Sequence, residues 1–175
     1  MRHTLSIVVE NRFGELSRIV GLFSARGYNI ESLTVAETLD PDVSHITLVT
    51  SGNDHVVEQI LKQVDKQVRV LGVLDVTDVT HVKREMALIK VEVESAAALA
   101  GVVNLVMTHD LKLVDLSEGG AIIEATGDWD QVSEIIRLLK EFGVREVSRS
   151  GAVAITGLSS ENDAAASRPE ELSFV

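Results

Sequence analysis

Hydrophobic positions along the chain switch repeatedly between a period of two and a period near 3.6, the signatures of strand and helix. Leu5, Ile7 and Val9 alternate with their neighbours and predict a strand, which Asn11-Arg12-Phe13-Gly14 breaks as a turn. Leu16, Ile19, Val20 and Phe23 then fall on one face of a helix, closed by Arg26 in its last turn and by Gly27. Tyr28 to Thr38 and Ser44 to Ser51 read as a hairpin around Asp40-Pro41-Asp42. A second helix carries Val57, Ile60, Leu61 and Val64 as its stripe, with Asn53 or Asp54 as cap and a Glu58–Lys62 pair. Val68 to Val76 closes the unit as a strand. Residues 4–77 thus predict the order β-α-β-β-α-β.

The polar stretch from Asp78 to Lys83 predicts a boundary, after which the same order returns. Met86 to Val93 alternates, with Ala87, Ile89, Val91 and Val93 on one side. Ser95 caps an Ala-rich helix with the stripe Leu99, Val102, Val103 and Val106. Leu111 to Leu116 and Ala121 to Thr126 flank the hairpin signal Ser117-Glu118-Gly119-Gly120. Asp128 caps a helix striped by Val132, Ile135, Ile136 and Leu139, which ends at Gly143. Val144 to Ile155 supplies a last strand, interrupted near Ser150-Gly151. The reading is an α+β protein of two tandem ferredoxin-like domains, residues 2–78 and 79–157, each with two helices on one face of a four-stranded antiparallel sheet. Residues 158–175, rich in alanine and acids, read as a disordered acidic tail.

Composition narrows the classes of function. The 175 residues carry a net charge of −11, which is spread over both repeats and the tail, and no basic patch stands against it. Together with an aromatic content of 3%, this argues against nucleic-acid binding, which calls for a basic footprint and stacking rings. With no cysteine there is no disulfide framework, thiolate metal site or cysteine nucleophile. No apolar run reaches the roughly 18 residues of a membrane span, and the first residues run straight into a strand pattern, so a cytoplasmic protein is expected.

Signatures of catalysis are missing. The sequence holds no GxSxG, GxGxxG, P-loop or HExxH, and His3, His45, His55, His81 and His109 share no ligand spacing. The turn before the first helix is more informative. A helix N-terminus offers unpaired N–H groups and the positive end of a dipole, which suit a carboxylate. Asn11 ends the strand, Gly14 lets the backbone come close, and Asn29 opens the next strand, which in a β-α-β unit can return beside the first. An Asn amide both donates and accepts, so these parts suit the carboxylate and ammonium of an amino acid. The alternative at this level is an Asn cap and a glycine needed only for the turn.

Two blocks, Glu10-Asn11-Arg12-Phe13-Gly14-Glu15-Leu16-Ser17-Arg18-Ile19 and Gly21-Leu22-Phe23-Ser24-Ala25-Arg26-Gly27-Tyr28-Asn29-Ile30-Glu31-Ser32-Leu33-Thr34-Val35, closely resemble the small regulatory subunits of acetolactate synthase (acetohydroxyacid synthase). The likeness continues at Glu58-Gln59-Ile60, Lys66 to Val70, Arg84 to Val91, Thr126-Gly127-Asp128 and Phe142 to Gly151, spanning about residues 2–157. It implies an N-terminal ACT domain and a second ferredoxin-like domain, and a chain without catalysis of its own. Such a chain activates a catalytic subunit that carries thiamine diphosphate, Mg²⁺ and FAD, and makes it sensitive to feedback inhibition by a branched-chain amino acid, chiefly valine. The resemblance also implies homodimers through the ACT domains, with the effector bound between protomers. Carried over by position, Asn11, Gly14, Glu15, Leu16, Asn29 and Ile30 are the expected effector site. Departures from the family pattern are Asn11 and Phe13, where the broad ACT pattern favours Asp and Pro (the Asn is usual for this branch), His45-Ile46, where this branch favours Arg-Met, and the bland Ala96–Leu99 stretch. A stand-alone ACT sensor acting on another partner is the alternative.

Overall fold

The computed structural model describes residues 1–158; most of the predicted tail lies outside the described residues. These residues group into two compact units, Met1–Val82 together with residues 152–158, and Lys83–Gly151. The boundary falls within a strand rather than in a linker. Residues 152–157, assigned from sequence to the second domain, belong to the first unit.

In the first unit β1 (Arg2–Glu10), α1 (Glu15–Ala25), β2 (Ile30–Glu37), β3 (Val43–Ser51), α2 (Asp54–Val64) and β4 (Val70–Asp75) follow the predicted order. Their antiparallel sheet has the strand order β2-β3-β1-β4, with β2 and β4 at its edges. Register places Leu5 opposite Leu48 and Ile7 opposite Ile46, all on the face that packs against Ile19 and Phe23 of α1 and Val57, Ile60 and Val64 of α2. Period-two alternation put these side chains on one face, and burying them there closes the core.

Local chemistry explains the helix ends. Asn53 Oδ1 accepts from the Val56 N–H at 2.9 Å and starts α2. Gly27 (φ 69°) ends the α1 segment, with the Tyr28 N–H bonded back to the Phe23 carbonyl and the Gly27 N–H to that of Ser24. β2 starts at Ile30 rather than Tyr28 because the Tyr28 N–H is spent on the helix end. β4 starts at Val70 rather than Val68 because a turn from Val64 to Val70 intervenes.

The second unit contains most of β5 (His81–Val93), then α3 (Ala96–Thr108), β6 (Lys112–Ser117), β7 (Gly119–Gly127), α4 (Trp129–Leu139), a 3₁₀ turn (Lys140–Phe142) and β8 (Val144–Arg149). The strand order is β6-β7-β5-β8. Ala87, Ile89 and Val91 of β5 with Ala121, Ile123 and Ala125 of β7 face Val102 of α3 and Val132, Ile135 and Leu139 of α4. Ser95 caps α3, and Asp128 and Gln131 form a reciprocal capping box on α4.

The predicted interruption at Ser150-Gly151 is present, and Gly151 has φ 81°. After it the chain forms β9 (Val153–Thr156), which is an addition to the expected four strands. β9 pairs with β5, whose first residues His81 and Val82 belong to the first unit. The Gly157 N–H donates to the Thr80 carbonyl at 2.7 Å. The Ala152 N–H donates to Ser32 Oγ at 3.1 Å and the Ala154 N–H to Thr47 Oγ1 at 3.2 Å. Ser32 and Thr47 alternate with the core residues Leu33, Ile46 and Leu48, so they point to the face away from the helices. β9 therefore covers that face, where Thr4, Val8, Thr47 and Val49 are buried.

Candidate functional site

The turn between β1 and α1 is built by Gly14, which stands at the N-cap in the left-handed region (φ 89°, ψ −8°) and carries no side-chain cap. A Cβ added there would meet nothing within 4 Å, so the glycine serves conformation and leaves open space beside it. The Gly14 carbonyl accepts the first intrahelical bond, from the Arg18 N–H at 3.0 Å. The Glu15 N–H closes on the Arg12 carbonyl at 3.3 Å. The N–H groups of Leu16 and Ser17 thus precede the first intrahelical bond and face out of the positive end of α1.

Asn11 is not the helix cap. Its Nδ2 donates to the Pro41 carbonyl at 2.9 Å and its N–H to the Asp42 carbonyl at 2.6 Å. Arg12 lies 3.4 Å from the Asp42 carboxylate. Asn11 therefore clamps the β1–α1 turn to the β2–β3 turn. Glu15 turns inward: its side chain is 5% exposed, and Oε1 accepts from Arg18 Nη1 at 2.7 Å and Arg69 Nη1 at 3.2 Å. Its carboxylate anchors the helix start to the segment before β4 and does not face the open turn. Leu16 is partly exposed beside it.

Asn29 and Ile30 lie elsewhere. Asn29 is exposed, and its carbonyl accepts from Thr50 Oγ1 at 2.6 Å. Ile30 is half-buried against the core and sits opposite Thr50, which in turn sits opposite His3. Glu10, at the other end of β1, pairs with Val43. The row holding Ile30 is thus separated from the Asn11 end of β1 by the His3-to-Glu10 span, about 23 Å at the rise of a strand. The expectation that the strand after α1 returns beside β1 is corrected, because β3 lies between β1 and β2. Within one chain the structure joins Asn11, Gly14, Glu15 and Leu16 at one end of the sheet and leaves Asn29 and Ile30 at the other.

Residues outside the expected site surround both ends. Phe13 is fully solvent-exposed on the first turn and Leu39 is 95% exposed on the turn that Asn11 clamps to it. Beside Ile30, Glu31 is held below the ordinary carboxylate range by the Ser51 hydroxyl and by Arg2, whose Nε lies 2.6 Å away. An aromatic where proline is usual was the available signal for Phe13. Nothing local marks Glu31, whose partners come from β1 and β3.

Four histidines have structural partners: Asp75 for His3, Ser6 for His45, Gln59 for His55 and the Val79 carbonyl for His81. Among the described residues no group of three or more His, Asp or Glu side chains is placed to hold a metal, and no helix is long and apolar enough to cross a membrane. The second unit carries a cleft of about 230 Å³ lined by His109, Leu111, Thr126, Gln131, Val132 and Glu134, and none of the candidate residues reaches it.

Two tandem βαββαβ units, the first with an open glycine turn at a helix start, define a two-domain protein of the ACT type. Comparison with known proteins gives the family. Residues 5–72 match the AHAS small subunit-like ACT domain and residues 84–157 match the small subunit of acetolactate synthase. A probable acetolactate synthase small subunit from Archaeoglobus fulgidus is 42% identical over 155 residues, covering 89% of this chain and 96% of that protein. The acetolactate synthase small subunit of Aquifex aeolicus is 42% identical over 154 residues, covering 88% and 80%. The crystal structure of the small subunit from Thermotoga maritima matches with a TM-score of 0.81 at 37% identity, over 90% of this chain and 98% of that one. The chain belongs to the acetolactate synthase small-subunit family.

Proposed function

We propose that this chain is a regulatory, non-catalytic subunit that activates an acetolactate synthase catalytic subunit and confers feedback inhibition by a branched-chain amino acid, valine foremost. Thiamine diphosphate, Mg²⁺ and FAD belong, in this reading, to the catalytic partner, and this chain binds none of them. Family membership supports the pairing with a synthase. The observation that carries the effector reading is the separation of the candidate residues along a sheet in which β2, among the described residues, has a neighbouring strand on one side only.

A two-fold axis beside β2 makes the two copies of that strand antiparallel and joins two sheets into one. The end bearing Asn29 and Ile30 in one protomer then lies at the same end as Asn11 and Gly14 of its partner. The site is complete only in the pair. The valine carboxylate meets the N–H groups of Leu16 and Ser17 beside Gly14, where the helix dipole favours negative charge. Its ammonium meets the Asn side-chain carbonyl oxygens, and its isopropyl group rests on Ile30. The inward-facing Glu15 keeps its negative charge away from the effector carboxylate and holds the helix start in place. Binding across a protomer boundary changes the geometry of the pair, and coupling of about 1–3 kcal/mol alters the partner's activity several-fold or more.

The test is acetolactate formation by the catalytic subunit with and without this chain, and with and without valine. Gly14→Asp places a carboxylate in the open space beside the turn and is expected to abolish valine inhibition while leaving activation in place. Gly14→Asn tolerates the same left-handed backbone without the charge and is expected to retain part of the inhibition. Full valine inhibition in the Gly14→Asp holoenzyme overturns the site.

A further inference from the structure

The face of the first sheet that carries no helix is closed by the C-terminal strand, through an unusual set of contacts. β9 pairs with β5 as a strand does, but toward the first sheet it lies on the face, where the N–H groups of Ala154 and of Ala152 just before the strand bond to the hydroxyls of Thr47 and Ser32 rather than to backbone carbonyls. Both alanines are buried, and their small side chains allow the close approach. A hydroxyl acceptor swings with its side-chain rotamer and with the twist of its own strand, so these bonds report the state of the strands that carry them.

Ser32 lies two residues beyond Ile30, and the β2–β3 register shifts between those two residues. A bulge re-aims the side chains that follow it, so an adjustment at Ile30 passes first to Ser32. On the other side of the bond, Ala152 is the first residue after the chain leaves the second unit, and it follows Gly151 in the left-handed conformation. The other covalent crossing, Val82 to Lys83, lies inside the continuous strand β5, so Gly151 is the crossing where the backbone has freedom to change direction.

We propose that the Ser32–Ala152 hydrogen bond is a relay through which occupancy of the effector site at the start of β2 reaches the second unit. The proposal rests on the effector reading given above. Ser32 is a positioning residue: it touches no effector, and it fixes Ala152, the first residue after the chain leaves the second unit. Thr47 and Thr80 hold Ala154 and Gly157, so β9 follows Ala152 as one body.

The amide of Ala152 is itself the reporter. In the full-length protein, L-valine is expected to change hydrogen exchange at Ala152 about fivefold or more, while binding is followed by calorimetry on the same sample. Ser32→Ala is expected to bind valine with affinity close to wild type and to activate the catalytic subunit normally. In the reconstituted enzyme it should raise the valine concentration for half-inhibition about threefold or more. Ser32→Thr keeps the hydroxyl and is expected to restore wild-type inhibition. Valine binding with unchanged exchange at Ala152, or wild-type inhibition in Ser32→Ala, overturns the relay alone. If none of valine, leucine and isoleucine gives a binding signal, the effector reading fails and the relay falls with it.

Discussion

His45 lies on the face of the first sheet away from the helices, with Nε2 2.8 Å from Ser6 Oγ. Burial pushes its pKa below the ordinary 6.5, since the charged imidazolium is the form that loses most by desolvation. As pH falls below about 6.5 the unfolded chain takes up this proton before the folded one does, so stability declines with falling pH until the folded pKa is passed. Thermal melts at about pH 7.5 and about pH 5.5 should show a smaller loss in His45→Gln than in wild type. An equal loss in both would assign the acid sensitivity to other groups. Residue-scale legibility was uneven. Gly14 was readable because glycine adopts a positive φ at the least steric cost, and the caps Asn53, Ser95 and Asp128 act on amides three residues away. The inward turn of Glu15 was not, because Arg69 stands 54 residues from it and only the folded sheet brings the two together.

At the scale of elements α3 departs most from its pattern. The stripe Leu99, Val102, Val103 and Val106 was expected to face the core. Val102 is fully buried, Leu99 and Val106 are half-buried, and Val103 is 37% exposed. An Ala-rich helix carries apolar groups all round, so its hydrophobic pattern does not specify a single face. What aligns it is Gly101, where an added Cβ would stand 2.5 Å from Phe142 Cε1 and 2.8 Å from Cζ. Helix propensity alone favours Gly101→Ala by about 1 kcal/mol, but overpacking costs about 1–3 kcal/mol, so the clash decides the sign. Gly101→Ala is expected to lower the melting temperature by several degrees, and in a Phe142→Leu background the same substitution should be neutral or stabilising. A melt series over the four combinations measures this coupling directly. Stabilisation by Gly101→Ala in the wild-type background would show that the ring moves aside without cost. α2 and α4, with amphipathic stripes and side-chain caps, lie as the pattern predicted because their two faces differ in chemistry.

For the whole molecule the open question is what covers β2. Among the described residues the strand is paired on one side only, Val35 on it is 40% exposed, and Phe13 and Leu39 are exposed on the two clamped turns. A bare edge invites a second copy. Val35→Lys places a charge on that edge and should weaken self-association about tenfold or more, read by sedimentation velocity as a shift from dimer to monomer. A wild-type chain that is monomeric at micromolar concentration would refute the pairing, and with it the shared effector site.

The sequence by itself determined the elements and their order, since period, caps and turn glycines act over at most a few residues and are written in consecutive letters. It also showed the family, because the Glu10 to Val35 blocks are long and specific. Tertiary structure decided the rest. Only the strand order β2-β3-β1-β4 reveals that the two halves of the candidate site stand about 23 Å apart in one chain. Only the fold sends Val153–Thr156 back across the first sheet, to a serine 120 residues away from Ala152. Pairings of that range are set by which surfaces remain to be buried once local structure has formed, and no local pattern in the chain encodes them.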